Sequence, residues 1–525
     1  MPFRSLYPDV AIPEVALSTF VLERAASLGD KPAVIDGPTG RTVTYAQLPR
    51  LVQRAAAGLA ARGLKKGDRF AILSPNLPEY VIAFHAVASL GGVVTTVNPL
   101  YTVGEVTRQL QDSAARFVLT VPPLLGTVRE AAQQAALTEI FVFGEAEGAT
   151  PFASLLAGNG APPAVAIDPR VDLIALPYSS GTTGMPKGVM LSHHNLVAQL
   201  CSVNGVTDSA LITPHDTVLA FLPFFHIYGI VAFMNLSLLQ GATVVTMQRF
   251  DFEQYLQLVQ KHGVTILHVV PPVVLALAKH PAVANVDFSK VRGVFCAAAP
   301  LGQAIADAMH ARLGLRVSQA YGMTEVSGAS HLGPTTEDKI KPASAGRLMP
   351  NLECKIVDLG TGAEVRPGEQ GEILVRGPIV MQGYFGHAGA TAATIDAQGW
   401  LRTGDIGYVD ADGDFFIVDR TKELIKYKGL QVAPAELESV LLGNPKIADA
   451  CVIGIADAEA GEVPKAFVVK KSEISVEEVM AWVAARVAPH KKVRKVEFID
   501  TLPRSASGKL LRRQLIERER AGAAP

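Results

Sequence analysis

Cysteine is scarce in this chain of 525 residues, which contains Cys201, Cys296, Cys354 and Cys451. These cysteines are far apart in the sequence, form no C-x-x-C motif and do not have the spacing of a zinc-ligand set. A disulfide scaffold is therefore excluded as the source of stability, and reduced thiols in a cytoplasmic protein are expected.

The chain also has little net charge: Lys and Arg number 48, Asp and Glu number 49, and the formal net charge is −1. This balance argues against a nucleic-acid partner held by bulk charge, but it is compatible with an anionic substrate bound in one local pocket. Charged residues make up 18% and hydrophobic residues 49% of the sequence, which excludes long disordered stretches. The length suits three or four units of ordinary domain size.

Long hydrophobic runs are rare, and the main exception is VLAFLPFFHIYGIVAFMNLSLL at residues 218–239. As a membrane span, this segment would have Pro223, His226 and Gly229 near its middle and no basic residues immediately beside it. We therefore expect a buried strand, an irregular turn at PFFHIYG and a core helix, with no stable membrane span. Prolines also interrupt residues 1–15, where a secretory leader needs an unbroken apolar run.

Short β-branched runs alternate with helical periodicity along most of the chain, which is typical of βαβ units. The sequence therefore predicts an α/β fold whose large N-terminal domain, residues 1–421, contains stacked, mostly parallel sheets with helices. From about residue 352 the strands are joined by Gly/Asp turns, which predicts a small antiparallel barrel-like subdomain over about 352–420. Residues 422–525 are expected to form a small α+β C-terminal domain.

The sharpest local signal is YSSGTTGMPKG at residues 178–188. Between two apolar stretches it combines hydroxyl side chains, glycines and a lysine, a composition that suits contacts to polyphosphate oxygens. No Walker A spacing fits this segment, and the alternative interpretation is a surface loop rich in turn-forming residues. The candidate phosphate-binding residues of this loop are Ser179, Ser180, Gly181, Thr182, Thr183, Gly184 and Lys187.

Further short motifs follow the loop in the order YGMTE (321–325), GWLRTGD (399–405), DRTK (419–422) and PRSASGK (503–509). Together with the loop, they resemble the signatures of the adenylate-forming superfamily of acyl-CoA synthetases, peptide-synthetase adenylation domains and luciferases. The resemblance extends from about residue 30 to residue 515. PFFHIYG and ELIKYKGLQVAPAELE are most similar to 4-coumarate:CoA ligases and their bacterial relatives.

The resemblance implies an AMP-forming ligase reaction in two half-steps. A carboxylate attacks the α-phosphate of Mg·ATP to give acyl-AMP and pyrophosphate, and the CoA thiol then displaces AMP to give a thioester. The resemblance therefore implies a protein that binds a carboxylic acid, ATP, CoA and Mg²⁺. We expect this protein to be a monomer or a homodimer. Because the first step builds negative charge at phosphorus, positioned cations and backbone donors are expected rather than a protein nucleophile.

The resemblance places nucleotide contacts in and after the YGMTE segment. The carboxylate of Glu325 suits one ligand position of Mg²⁺, the others coming from phosphates and water. The ring of Tyr321 is expected to face adenine, and Asp405 is expected to accept from the ribose hydroxyls beside Arg420. The ATP- and phosphate-binding residues implied outside the loop are Gln319, Tyr321, Gly322, Thr324, Asp405 and Arg420.

Catalysis is assigned by the resemblance to Lys509, His226, Lys426 and Gln431. Lys509 is expected to bridge the carboxylate and the α-phosphate during adenylation, and Lys426 and Gln431 to contact the adenylate. Taken without the resemblance, Lys509 would be a solvated lysine in a basic stretch, and His226 would be a buried core histidine.

CoA binding is assigned to Lys428 and Gly429, and a hinge is assigned to Lys422. The C-terminal domain is thus expected to be a mobile lid. It presents Lys509 for one half-step and the Lys428-Gly429 segment for the other.

The acyl pocket is where the sequence departs from the plant ligases that it resembles. Those enzymes commonly have a lysine where Phe295 stands here, and Gly-Pro-Val where Ser327, Gly328 and Ala329 stand. Loss of the lysine removes a polar partner for a ring hydroxyl, so a broad or more apolar range of acids is expected. The pocket residues implied are Tyr228, Phe295, Ala297, Ala320, Gly328 and Ala329.

The leading hypothesis is therefore a ligase for aryl-propenoic acids of the 4-coumarate or cinnamate type. The alternatives are a medium-chain fatty acyl-CoA ligase and, less favoured by the retained CoA segment, a stand-alone adenylation enzyme that serves a carrier protein. A non-catalytic nucleotide-binding protein, or a membrane protein that uses residues 218–239, is the alternative from a different class.

Overall fold

Parallel strands with helices between them make up most of the chain, as the alternating sequence pattern predicts. A computed structural model describes residues 2–158, 160–179, 185–209, 212–341, 343–428, 430–457, 459–505 and 508–522. Within these ranges the strands form three sheets, two large and one small.

The strands, numbered in chain order, are β1 Phe3–Arg4, β2 Pro32–Asp36, β3 Thr42–Thr44, β4 Arg69–Leu73, β5 Val93–Val97, β6 Ala115–Thr120, β7 Glu139–Val142, β8 Thr150–Pro151, β9 Leu173–Ala175, β10 Tyr178–Ser179, β11 Lys187–Ser192, β12 Thr217–Ala220, β13 Thr243–Thr246, β14 Ile266–Val269, β15 Gly293–Cys296, β16 Ser318–Met323, β17 Gly328–Leu332, β18 Gly346–Leu348, β19 Glu353–Val357, β20 Gly371–Arg376, β21 Gly383–Tyr384, β22 Leu401–Val409, β23 Asp414–Arg420, β24 Ile425–Tyr427, β25 Leu430–Val432, β26 Ile447–Asp457, β27 Gly461–Lys470 and β28 Lys495–Phe498.

The α-helices are α1 Leu17–Leu22, α2 Ala25–Leu28, α3 Leu48–Ala61, α4 Pro78–Ser89, α5 Val103–Asp112, α6 Leu125–Ala132, α7 Phe152–Leu155, α8 His193–Asn204, α9 Phe252–His262, α10 Pro271–Lys279, α11 Gln303–Leu313, α12 Ala388–Thr394, α13 Pro434–Leu442, α14 Val476–Ala484 and α15 Arg512–Gly522. Short 3-10 helices lie at Pro122–Leu124, Pro281–Asn285, Thr324–Val326, Glu337–Lys339 and Pro489–Lys491, and a π-helix lies at Gly229–Ser237.

The first sheet joins a parallel and an antiparallel section in one hydrogen-bonded path. Its strand order is β1-β19-β20-β22-β23-β18-β17-β16-β15-β14-β12-β13-β2-β3. Neighbours from β2 to β16 are parallel, and neighbours from β16 to β1 are antiparallel. The antiparallel strands predicted after residue 352 are present, and they continue the parallel section through β23 and β18.

The second sheet has the order β10-β11-β9-β5-β4-β6-β7-β8, with β21 paired to β11. Its neighbours from β9 to β8 are parallel, whereas β11 is antiparallel to β9, β10 and β21. Side chains from both large sheets and their helices share one continuous core of buried residues. Two of the phosphate-binding candidates, Ser179 at the end of β10 and Lys187 at the start of β11, belong to this sheet.

The small third sheet has the order β25-β24-β27-β26, with β28 paired to β27. It has a separate core that includes Ile425, Leu437, Val452, Ala466 and Val479. The predicted fold, a large α/β part followed by a small α+β part, is therefore confirmed, while the boundary at residues 421 and 422 and the mobility of the small part stay predictions.

The segment 218–239 contains β12, a turn and the π-helix, whose residues are all buried. The amide of His226 donates to the carbonyl of Pro223 over 3.1 Å, which closes the turn. Gly229 is required there, because a Cβ atom at this position would lie 2.0 Å from the Pro223 oxygen. Across the described ranges, none of the helices has both the length and the apolar character needed to cross a membrane.

Candidate active site

Segments far apart in the sequence meet around one cavity of about 710 Å³ at the carboxyl ends of the parallel strands β12, β14, β15 and β16. This edge is where ligands bind in α/β sheets. The part of the chain after β23 closes the opposite side with residues of α15 and the loop before it. The predicted site residues that line this cavity are Ser179, His226, Tyr228, Phe295, Ala297, Ala320, Tyr321, Gly322, Thr324, Glu325, Gly328, Ala329, Asp405, Arg420, Lys422 and Lys509.

Lys509 lines the cavity, and its backbone and that of Gly508 are hydrogen-bonded to residues 504 and 505. Its amide donates to the hydroxyl of Ser505 over 3.1 Å, and Arg504 donates to the Gly508 carbonyl over 2.9 Å. Gly508 has a φ of +81° and lies against Val270, whose Cγ2 would be 3.2 Å from an added Cβ. The small domain therefore contacts the large one directly beside the predicted catalytic lysine.

Enclosure of Lys509 lowers the pKa of its ammonium group, and the positive charge of Arg420 lowers it further. The carboxylates of Asp405 and Glu325 act in the opposite direction. The lysine thus lies among the residues that the sequence assigns to ATP and Mg²⁺.

Asp405 is held between an aromatic hydroxyl and a guanidinium group. The Tyr321 hydroxyl donates to Oδ2 of Asp405 over 2.7 Å, and Nε of Arg420 lies 3.4 Å from Oδ1. Burial raises the pKa of Asp405, while Arg420 and the Tyr321 hydroxyl oppose that shift. Since the tyrosine hydroxyl is already used, the ring face is the part of Tyr321 that remains for a base.

Glu325 contacts Ser179, the last described residue before the central part of the candidate phosphate-binding loop. Its Oε1 accepts hydrogen bonds from the Ser179 hydroxyl, over 2.6 Å, and from the Tyr384 hydroxyl, over 3.0 Å. The ammonium nitrogen of Lys187 lies 5.6 Å from the centre of the Tyr384 ring. Glu325 is 4% exposed. A buried carboxylate is thus positioned by hydroxyl groups at the edge of the loop.

His226 is neutral in this environment. Its Nδ1 accepts from the amide of Tyr228 over 3.2 Å, so the proton of the neutral ring is on Nε2. Burial lowers the pKa of His226 to about 3, and the charge of Lys509 acts in the same direction. A neutral donor next to a lysine suits the binding of a carboxylate near that lysine.

The acyl side of the cavity contains a histidine that the sequence analysis missed. The Tyr228 hydroxyl and Nδ1 of His268 are 3.1 Å apart. Phe295 stacks on the His268 ring with centroids 5.5 Å apart, and Phe233 meets its edge. Burial lowers the pKa of His268 to about 4. The hydroxyl of Tyr228, a residue predicted to line the acyl pocket, therefore already has a partner in the pocket wall.

Several predicted site residues lie away from the cavity. The Gln319 side chain accepts from the amide of Leu301 over 3.0 Å, so it positions the loop after β15. Lys426 on β24 and Gln431 on β25 are exposed and lie opposite each other, and Lys428, directly after β24, has a φ of +48°.

Some predicted residues lie outside the described residues. The structure therefore adds nothing about them. They are Ser180, Gly181, Thr182, Thr183, Gly184 and Gly429.

Residues absent from the predicted set complete the charged end of the cavity, among them Arg402, Glu423, Arg512 and Arg513. Arg512 is paired with Glu423, and it also donates to Glu438 over 2.6 Å. Arg402 and Arg513 are likewise paired, with Glu372 and Glu517, so this end of the cavity contains charges of both signs. Arg402 stands within GWLRTGD, and Arg512 and Arg513 closely follow PRSASGK, whereas Tyr384 and His268 stand in no recognised motif.

Comparison with known proteins agrees with this geometry. The sequence profile described as AMP-binding enzyme matches residues 21–385, and that described as AMP-binding enzyme C-terminal domain matches residues 436–509. The chain is 43% identical over 532 residues to 4-coumarate–CoA ligase 5 of Oryza sativa subsp. japonica, covering 99% of this chain and 98% of the relative.

Two solved structures are also similar over almost the whole chain. The anthranilate CoA ligase AuaEII in complex with anthranoyl-AMP has a TM-score of 0.90 and 26% identity, with 98% of this chain and 99% of that chain covered. ATP-bound MatB from Rhodopseudomonas palustris has a TM-score of 0.87 and 28% identity, with 97% and 100% covered.

Proposed function

Because this chain belongs to the AMP-binding enzyme family, we propose that it is an ATP-dependent carboxylate:CoA ligase for aryl-propenoic acids of the 4-coumarate or cinnamate type. The acid is converted through an acyl-adenylate to a CoA thioester, with release of AMP and pyrophosphate. The reaction class is inferred from the family, and the acid is inferred from the rice 4-coumarate–CoA ligase that this chain resembles.

The observation that carries the proposal is the position of Lys509 in the same cavity as Asp405, Glu325 and His226. In the first half-step a carboxylate oxygen bonds to the α-phosphorus, and the bond from that phosphorus to the pyrophosphate oxygen breaks. Negative charge grows on the phosphoryl oxygens, and a positioned ammonium group stabilises it most where water is excluded. We assign this role to Lys509.

We assign to His226 the binding of the carboxylate of the acid. Its Nε2–H is a donor that needs no counter-charge, since the pKa of the ring is about 3. We assign Asp405 and Arg420 to binding the ribose. We assign the ring face of Tyr321 to the adenine, because the hydroxyl of Tyr321 already donates to Asp405.

Glu325 is the proposed protein ligand of Mg²⁺. Among the described residues, no group of three or more His, Cys, Asp or Glu side chains could hold a metal ion, so phosphates and water would provide the other ligands, as is usual for Mg²⁺. Both hydroxyl donors bind Oε1, which leaves the other oxygen without a contact from them. The ion would neutralise phosphate charge.

The second half-step forms the bond from the CoA sulfur to the acyl carbon and breaks the bond from that carbon to AMP. Lys428 and Gly429 are proposed to bind CoA. For this, the small domain must rotate about Lys422. The present arrangement is held by Asp419, which accepts from the amide of Ala435 over 3.0 Å, and by the contact between Gly508 and Val270. The division into residues 1–421 and a mobile 422–525 is part of this proposal.

A medium-chain fatty acyl-CoA ligase is the second candidate. The cavity continues past the aromatic side chains to Val203, Ile212 and Leu236, which form an apolar wall. Such a wall accepts an alkyl chain as readily as a ring.

The test is pyrophosphate and AMP release by the purified protein with 4-coumarate, cinnamate, benzoate and octanoate, with and without CoA. Acid-dependent pyrophosphate release that accelerates with CoA is expected. No release with any acid would contradict the ligase proposal, and release indifferent to CoA would favour an enzyme that serves a carrier protein. A clear preference for 4-coumarate over cinnamate would contradict the argument from the missing lysine.

A further inference from the structure

The acyl side of the cavity continues along α8 into a region that no sequence motif describes. We define this distal arm by Gln199, Val203, Asn204, Ser209, Ile212 and Leu236, all of which line the cavity. Gln199 and Asn204 are five positions apart on one helix, a rise of roughly 7.5 Å.

The distal arm opens from the predicted acyl pocket at Gly328. A Cβ atom added to Gly328 would lie 3.5 Å from Nε2 of Gln199 and 3.3 Å from Cγ2 of Val231. The amide of Gln199 is therefore next to a residue that the acid itself is expected to contact.

The distal arm contains polar atoms that the protein leaves without partners. Gln199 is 0% exposed, and neither Oε1 nor Nε2 has a hydrogen-bond partner among the described residues. The same holds for Oδ1 of Asn204 and Oγ of Ser209. Buried amide atoms are almost always paired, because an unpaired one loses its hydration without compensation. A ligand that supplies the partners would remove this cost.

The residues that define the distal arm are uncharged. Among the described residues, the charged side chains that line the cavity come from outside α8, the π-helix, residues 205–209 and Ile212. Asp208, next to Ser209, accepts from the Tyr7 hydroxyl over 2.5 Å and lies 3.7 Å from Arg347. An ion in the distal arm would therefore be buried without a counter-ion, which is strongly unfavourable.

We propose that the distal arm binds a neutral hydrogen-bonding group, such as a hydroxyl, at the far end of an acyl chain longer than cinnamate, with Gln199 as the specificity-determining residue. This inference rests on the proposed ligase function and extends its substrate class to long acids with a terminal hydroxyl. An amide recognises a hydroxyl as both donor and acceptor. An apolar chain of the same length leaves the amide unpaired.

The experiment compares 10-hydroxydecanoate with undecanoate, in which a methyl group replaces the hydroxyl. Both are measured by isothermal titration with the full chain and by kcat/KM for AMP formation in the presence of ATP and CoA. The hydroxy acid is expected to bind about tenfold more tightly and to have the higher kcat/KM by a similar factor. In Gln199→Met the ratio is expected to fall to about one, mainly through KM.

Gln257→Met, an exposed position on α9, is the matched control and should keep the wild-type ratio. Since the Gln199 amide has no partner among the described residues, the methionine variant should melt at the wild-type temperature or above. Asn204→Leu is the second variant, and it should lower the ratio in the same direction.

Equal binding of the two acids, or a ratio unchanged in both variants, would overturn the proposal and leave the ligase function standing if cinnamate still gives AMP. Preferential binding of the hydroxy acid without AMP from any acid would support the distal arm and overturn the ligase function instead.

Discussion

The hydroxyl of Tyr321 donates a hydrogen bond of 2.7 Å to Oδ2 of Asp405, which stands 84 residues further along the chain. This bond joins the YGMTE and GWLRTGD segments, which are hydrogen-bonded within the first sheet through β17, β18 and β23. It also decides which part of each residue remains for a nucleotide. In the proposed function, the aromatic face of Tyr321 is left for the base, and the carboxylate of Asp405 is already oriented by this bond before ATP binds.

Replacing Tyr321 tests this arrangement. Tyr321→Phe keeps the ring and removes the hydrogen bond, so KM for ATP should rise several-fold and stability should fall by about 1 kcal/mol. Tyr321→Ala should raise KM further, because the stacking face is lost as well. Steady-state kinetics and thermal melting measure both effects. A phenylalanine variant with unchanged KM and Tm would show that the hydroxyl has no orienting role.

Lys509→Ala tests the assigned catalytic cation. Loss of one positioned charge should slow acid-dependent pyrophosphate release by roughly 10²- to 10³-fold. Conversion of supplied acyl-adenylate to thioester should continue, because that step does not use the lysine in our proposal. Lys471→Ala, at an exposed position in the small domain, should behave as wild type. Normal pyrophosphate release by Lys509→Ala would refute the assignment.

Gly229→Ala tests the turn that positions His226. The added methyl group would lie 2.0 Å from the Pro223 oxygen, so the turn must move, at a cost of about 3 kcal/mol or more. Adenylation should fall together with Tm. Gly104→Ala is the matched substitution on α5, where nothing lies within 4 Å of the added atom, and it should be neutral or stabilising by up to about 1 kcal/mol. Equal melting temperatures for the two variants would contradict this account.

Stability should depend on pH through histidines that are buried in the neutral form. Burial lowers the pKa of His85, His193 and His268 to about 4, and that of His226 and His331 to about 3. The unfolded chain therefore binds protons below about pH 6.5 that the folded chain does not. The stabilisation is complete above about pH 6.5 and is lost as the pH falls towards the folded values. At pH 5.5 one such histidine is expected to cost roughly 1.4 kcal/mol.

Urea denaturation between pH 7 and pH 5 measures this loss. His331→Asn, which removes a fully buried ring in contact with Phe415, should reduce the slope of stability against pH by about one proton. Gln260→Asn, which changes no titrating group at an exposed position of α9, should leave the slope unchanged. A flat profile would contradict the neutral state of these histidines.

The sequence predicted the fold, and the resemblance carried by its motifs predicted part of the cavity lining, because those motifs lie near the ends of strands that share one edge. His226 after β12, Phe295 in β15 and Tyr321 in β16 illustrate this. His268 was missed because one histidine in an apolar strand is indistinguishable from a core residue. Tyr384 was missed because its contact with Glu325 depends on the β21–β11 pairing.

Two other gaps have physical causes. The first sheet is continuous because β18 pairs with β23, more than 60 residues further along the chain. A local sequence pattern does not identify partner strands at that separation. Lys426 and Gln431 were placed by resemblance, and their assigned contacts depend on how the small domain is oriented, which the amino-acid pattern does not specify.

The continuous first sheet holds one end of the cavity in place. Tyr321 and Ala320 on β16 and Asp405 on β22 are connected through the same set of interstrand hydrogen bonds, so these residues cannot move independently of one another. The residues that define the distal arm belong to no strand of this sheet. Acids that differ in length would therefore be accommodated at the distal arm, with the end at Asp405 unchanged.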